Sequence, residues 1–469
     1  MEYLRRLATT LLSRYKQAAL TTNPSLKTFK RLKLELLASL ASPPAAILLL
    51  LLSAYTGLEA YTTLLLLPVV VAPAWLVVEK LASARELWKR VDDELDFFIV
   101  ASASVCRTGL EPLEFLRRLQ DSRVFKGFRI LGERFTGLAG LTSAGEALHY
   151  LPALSRGRTR VFFTEYLSAL SAGVVVEYLL RSASEVLRDS WVRVSRMIEK
   201  RGEIGVVIAV VSASVPALTA GFSVILDPVV VSQALAVLVA TGVAGVVLIP
   251  GYPLPLRIVV EEKYSRILAV LEAAGLLVLL APLVLQALNI SVSREVILST
   301  SIASILLGAP GLIAVINAFI GIHALKSILE DLLRHARVYR SIHLYRSEKL
   351  KAVSSRRVRL WLVDYTLEAI RFQRGLGDVD PDIYALFALF ISEVSRVLWA
   401  YLHSVTVVLA AALATPLLLK ALAVLSPAPM TTIAYVSLLV VGFTSSKLVL
   451  GGNTSTLIPG VLTALYALL

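Results

Sequence analysis

Apolar residues in this chain are gathered into runs of membrane-spanning length, and two long charged blocks, residues 79–203 and 323–396, interrupt them. Nine runs qualify as candidate spans: about 37–56, 61–78, 204–225, 229–249, 267–288, 296–322, 398–424, 431–450 and 454–469. The pattern predicts an all-α polytopic membrane protein. Its order is a basic arm (1–36), two spans (37–78), the first block, four spans (204–322), the shorter second block and three spans (397–469).

Inside the blocks the periodicity is helical, and the punctuation is local. A helix through Val91 to Thr108 stops at Gly109, a natural left-handed cap, and Pro112 opens the next. A third runs from Phe125 to Phe135 and breaks near Gly137 and Gly140. Ser143 and Glu146 have capping-box spacing and start a fourth. Arg158 to Ala172 and Val174 to Arg201 complete a six-helix antiparallel bundle. The second block holds three or four helices, broken near Ser354 and again at Gly375 to Pro381.

The blocks resemble each other. Arg158-Thr-Arg160-Val-Phe-Phe-Thr-Glu165-Tyr166 matches Arg357-Val-Arg359-Leu-Trp-Leu-Val-Asp364-Tyr365, and Ser184-Glu185-Val186 with Arg188 and Trp191 matches Ser392-Glu393-Val394 with Arg396 and Trp399. Two motifs in the same order, each leading into a span, read as a duplicated bundle-plus-spans unit.

Composition agrees with the spans. The hydrophobic share is 57% and mean hydropathy +0.74, above the roughly 45–50% apolar usage of soluble domains. Charge then sets the threading. Of 47 basic residues, the N-terminal arm, the two blocks and the loop 251–266 hold 44, whereas the alternate loops hold only Arg294. Positive-inside bias therefore places the N-terminus and both blocks in the cytoplasm and, with the ninth span, the C-terminus outside. A net charge of +13 on such a chain points to anionic lipid headgroups rather than to nucleic acid. The basic arm is too long and charged for a signal-peptide n-region, and no small-residue cleavage site follows; it reads as a retained, lipid-facing helix.

Catalytic patterns are missing. The chain has no G-x-x-x-x-G-K-[ST] phosphate loop and no H-E-x-x-H pair; its five histidines are scattered, and Cys106 is alone. Gly375-Leu-Gly377-Asp378 matches the G-x-G-D of intramembrane aspartyl peptidases, but it sits in a hydrophilic loop without a second intramembrane Asp. Asp378, Asp380 and Asp382 open like a calcium loop but lack its glycine and closing glutamate; a helix-starting turn fits better. A secondary transporter would place ionisable groups at mid-membrane, where the spans offer little beyond Glu272 and Lys420 near span ends. No enzyme, metal or cofactor is expected. Docking is the remaining chemistry, and its candidates are the acidic run Asp92, Asp93, Glu94 and Asp96, the basic run Arg356, Arg357 and Arg359, and the matched charges Arg158, Arg160, Glu165 and Asp364.

Glu94-Leu95-Asp96-Phe97-Phe98, followed by Val105-Cys-Arg-Thr-Gly109-Leu110-Glu-Pro-Leu113, and later Gly145-Glu146-Ala147-Leu148 with the helix Phe162 to Gly173, resemble the type II secretion system F domain. That domain occurs in inner-membrane platform proteins of type IV pili, archaella and type II secretion. The likeness covers about 90–225 well and 323–420 loosely, and the order of spans is similar to the archaeal branch. The resemblance implies a non-enzymatic scaffold whose cytoplasmic bundles contact a hexameric secretion ATPase. Its spans would gather prepilin- or archaellin-like subunits, further copies of the chain and anionic lipid.

Overall fold

The computed structural model describes residues 82, 85–106, 112–222, 246–288, 290–343, 345, 347–374, 380–425, 431–450 and 455–469. The basic arm, the first two candidate spans, most of the fourth and the G-x-G-D loop lie outside these residues. The chain divides into two compact units, residues 1–95 with 113–174, and residues 96–112 with 175–469.

Helix dominates the described residues. Helix α1 (85–105) spans the boundary between the units in sequence. Unit 1 adds α2 (Pro112–Arg118), α3 (Lys126–Leu141), α4 (Ala144–Leu154) and α5 (Gly157–Ser171). Ser143 caps α4 as its spacing requires: its hydroxyl accepts the Glu146 N–H at 3.1 Å, and the Glu146 carboxylate accepts the Ser143 N–H at 3.4 Å. Gly137 and Gly140 do not break α3, which runs on to Leu141. A glycine costs a helix only about 1 kcal/mol, and the helix stops where the α4 capping box begins. Phe125, Phe128, Leu131 and Phe135 of α3, with Phe162, Phe163 and Tyr166 of α5, are buried.

Unit 2 contains three very long helices: α6 (Val175–Phe222), α8 (Arg294–Tyr339) and α11 (Pro381–Leu425). Each is apolar over one half and charged over the other, and none is interrupted at the change. At 1.5 Å per residue they are about 70 Å long. Between them lie α7 (Glu262–Ala287), α9 (Glu348–Ser354) and α10 (Trp361–Gln373); α12 (Thr431–Leu450) and α13 (Leu457–Leu468) end the chain. The breaks expected near Ser354 and before Pro381 coincide with the ends of α9 and the start of α11.

Among the described residues three helical stretches are long and apolar enough to cross a membrane: Glu262–Gln286, Arg294–Tyr339 and Pro381–Ala421. The apolar part of α12 and the twelve-residue α13 are shorter; at about 18 Å, α13 cannot cross a hydrocarbon core of about 30 Å alone.

Two features depart from the sequence reading. First, the loop 251–266 contains regular structure. Pro255 and Leu256 are buried, and Ile258–Val260 (β1) pairs antiparallel with Val358–Leu360 (β2), Val259 opposite Arg359. The basic motif that is helical at Arg158 and Arg160 is therefore a bend at Arg357 and extended at Arg359. The matched apolar positions nevertheless share a fate: Phe162, Phe163 and Tyr166, like Trp361, Leu362 and Tyr365, are all buried.

Second, residues 79–203 do not form one bundle, because α6 and the second half of α1 belong to unit 2. There α1 completes an aromatic core. Phe97 meets Trp361, Tyr365 and Phe390 edge-on, with ring centroids 4.9, 5.0 and 6.0 Å away. The Tyr365 hydroxyl donates to the Phe97 carbonyl at 3.1 Å, and the Gln373 amide donates to the Ser104 hydroxyl. The short second block closes its core with a helix from the first.

Candidate functional site: an arginine junction among helix ends

Arg201 stands where α6 passes from charged to apolar sequence, and it is the largest side chain buried to 1% exposure. A guanidinium so enclosed needs acceptors for a planar fork of five N–H donors. Its Nε donates to the Tyr401 hydroxyl of α11 at 2.7 Å. Its terminal nitrogens donate to the carbonyls of Pro250 and Lys447, and to that of Leu448 at 2.8 Å. The Tyr252 ring lies 4.3 Å from the guanidinium carbon, a cation–π contact.

The acceptors at 447 and 448 are last-turn carbonyls of α12, the negative end of a helix dipole. Tyr401 and Tyr252 add donors to the same end, reaching Leu448 O at 2.8 Å and Val449 O at 3.0 Å. Tyr252 also meets Phe319 of α8 edge-on at 5.7 Å. One cation therefore joins α6, the 250–252 turn, α11 and α12, and Tyr252 carries the contact on to α8. Gly205, one turn beyond Arg201, leaves the space that the Leu448 side chain occupies.

A smaller counterpart lies at the other end of α8. Arg294, in its first turn, donates to the carbonyls of Ala467 and Leu468 at the end of α13. The α13 N-terminus is capped internally, because the Glu272 carboxylate accepts the Thr456 N–H at 3.0 Å. Ser304 donates to Thr456 O at 3.1 Å, and Gly308 admits the Leu457 backbone and the Thr456 hydroxyl beside α8. Irregular backbone among apolar helices requires such internal partners.

The structure corrects the acidic run as a free docking surface. Asp92 accepts the Thr159 N–H at 3.1 Å and its hydroxyl at 2.7 Å, at the start of α5. Glu94 accepts the N–H groups of Gly127 and Phe128, at 2.9 and 3.1 Å, at the start of α3. Asp96 pairs with Arg193. Only Asp93 is exposed. Carboxylates on one helix thus cap two others, the favoured place for negative charge.

The basic run is also mostly engaged. Arg356 is half-buried and donates to Asn317 O at 2.8 Å; Arg359 pairs with Asp364 at 2.6 Å and donates to Ser354 O at 2.9 Å. Burial pushes the Asp364 carboxyl up, with Arg359 opposing. Arg357 is exposed beside β2, and Arg158, Arg160 and Glu165 are exposed along α5. Asp380 turns its carboxylate to the Asp382 N–H at 3.0 Å, just before α11; a helix-starting turn describes it. Among the described residues no cluster of three metal-ligating side chains occurs. Sequence reading missed the Arg201 junction, whose acceptors lie 49 to 247 residues away. The one available signal was an arginine at the charged-to-apolar change of a helix.

Compared with family models, curated proteins and solved structures, the chain has no match in any of the three.

Burial raises the Glu94 carboxyl to about 7 from its ordinary 4.5, against the lowering effects of the Phe128 and Gly127 N–H groups and Arg90; Asp93 adds a small raise. The folded state holds this proton more tightly than the unfolded chain does. Its contribution is complete below pH 4.5 and is lost as pH rises through about 7. Thermal unfolding across that window is expected to show a loss of about 3 kcal/mol that Glu94→Gln flattens. Parallel pH profiles for the two proteins would contradict this.

Proposed function

We propose that the chain is a non-enzymatic membrane platform that couples a cytoplasmic machine to membrane-embedded subunits. On this reading the apolar runs thread the bilayer, with the short α13 packed among the longer helices rather than crossing alone, and the N-terminus and both charged blocks are cytoplasmic. The two blocks descend from one duplicated bundle-plus-spans unit. The observation that carries the proposal is the continuity of α6, α8 and α11 from charged block to apolar segment, with Arg201 fastening α6 to α11 at the change and Tyr252 linking the junction to α8. Rods that do not break at the membrane surface transmit a push or twist from block to span.

Two further observations support the threading. Every residue at the Arg201 junction (201, 250–252, 319, 401 and 447–449) falls at a span end that the charge count puts inside. Arg294 with Ala467 and Leu468 falls at ends it puts outside. Along α8, Arg294 and Phe319 are about 37 Å apart, between a hydrocarbon thickness of about 30 Å and a full bilayer of about 40–45 Å.

The partners follow from the resemblance of residues 90–225 to secretion F domains. A hexameric secretion ATPase would engage the cytoplasmic blocks, while prepilin- or archaellin-like subunits and further copies of the chain gather at the spans. The alternative of a secondary transporter draws less support, because the Glu272 carboxylate is occupied as the cap of α13.

Two experiments test this. Cysteines at Ser168 and Ser354, both exposed, are introduced into a chain whose native Cys106 is buried. Both are expected to react with an impermeant thiol reagent in inverted vesicles and not in intact cells; labelling from outside at either position would overturn the threading. Arg357→Glu is then expected to weaken co-purification of the ATPase about tenfold, as loss of a charge at an interface rim and its replacement by the opposite sign does. Undiminished capture would remove Arg357 from the docking surface.

A further inference from the structure

Trp399 and Tyr401 share one turn of α11 but serve opposite sides. Tyr401 points inward to Arg201, whereas Trp399 is 49% exposed, with its ring 5.6 Å from that of His323 on α8. His323 is itself one turn beyond Phe319, the α8 residue that meets Tyr252. The aromatic pair therefore lies level with the arginine junction, on its outer side.

The surface changes character sharply there. Towards the apolar halves, α8 exposes Ile320, Ile316 and Ile313, and α11 exposes Val407 and Leu417. Towards the charged halves, Arg396 is 71% exposed one turn before Trp399, and Lys326 lies one turn past His323. His403 is exposed on the next turn of α11. An amphipathic aromatic flanked by cations on one side and aliphatic side chains on the other matches the cross-section of a phospholipid: phosphate, interface, acyl chain. Opposing charges on this face are Glu393, which pairs with Arg396 at 2.5 Å, and the exposed Glu330, one turn past Lys326.

We propose that Arg396, Trp399 and His403 of α11, with His323 and Lys326 of α8, form a headgroup site for an anionic phospholipid of the inner leaflet. This rests on the reading that α8 and α11 cross the membrane, and not on the platform role or its protein partners. Lys326 and Arg396 neutralise the phosphate, Trp399 and His323 sit at the ester level, His403 one turn deeper donates to an ester carbonyl, and the acyl chains run along Ile320 and Val407. A lipid held there lies directly behind Tyr401 and so bears on the junction that ties the long helices together.

The test is thermal unfolding of the full chain in detergent, titrated with short-chain phosphatidylglycerol, short-chain phosphatidylcholine or inorganic phosphate at matched ionic strength. Phosphatidylglycerol is expected to raise the midpoint well beyond the other two. Lys326→Gln with Arg396→Gln weakens its apparent affinity about fivefold for each cation removed, and leaves the phosphatidylcholine curve unchanged. Glu393→Gln, which frees Arg396, tightens phosphatidylglycerol binding and keeps the test decisive if the double variant does not purify. An equal response to both lipids overturns the site but leaves the membrane reading standing. An equal response to inorganic phosphate, or an unshifted phosphatidylglycerol curve in the variants, also overturns it. No response to either lipid removes the membrane reading itself.

Discussion

A buried guanidinium held by three main-chain carbonyls and a phenol is the constraint around which unit 2 is organised. Taking a cation out of water is costly, and the cost is offset only where every donor finds an acceptor in good geometry. Arg201 finds three carbonyls, a phenol and an aromatic face, and none of these comes from its own helix. The end of α12, the turn at 250–252 and the start of the apolar half of α11 must therefore meet at one level of α6. That level is also where three helices change from charged to apolar sequence. The cation and the sequence boundary fix each other.

The second organising interaction is the aromatic core around Phe97. Taken alone, the second block has too few helices to enclose Trp361, Tyr365 and Phe390. The end of α1 supplies the missing wall, and the Tyr365 hydroxyl finds its acceptor in the α1 backbone. In the proposed function, this sharing joins the first block's leading helix to the core of the second.

Features that depend on neighbours in sequence were legible from the sequence. The Ser143–Glu146 capping box, Pro112 as a helix opener and the breaks near Ser354 and before Pro381 all rest on local backbone chemistry. Features that depend on distant partners were not. Asp92, Glu94 and Asp96 read as part of a solvated acidic run, and nothing nearby in sequence says that Thr159, Gly127 and Arg193 wait for them. Two three-residue strands are too short to show alternation, so the β1–β2 pairing and the extended backbone at Arg359 were invisible. Arg201 was one basic residue among many beside Lys200 and Glu203. Its burial follows from the tertiary approach of α11 and α12, which no local pattern encodes.

If the junction holds these helices together, removing the cation while keeping its bulk must loosen them all at once. The direct measurement is the unfolding free energy of Arg201→Met and Tyr401→Phe, singly and together. Arg201→Met is expected to lose about 3 kcal/mol or more, since it strands several buried carbonyls. The double variant should lose less than the sum of the single losses, because the two side chains share one hydrogen bond. An Arg201→Met protein as stable as the original, or strictly additive losses, would contradict it.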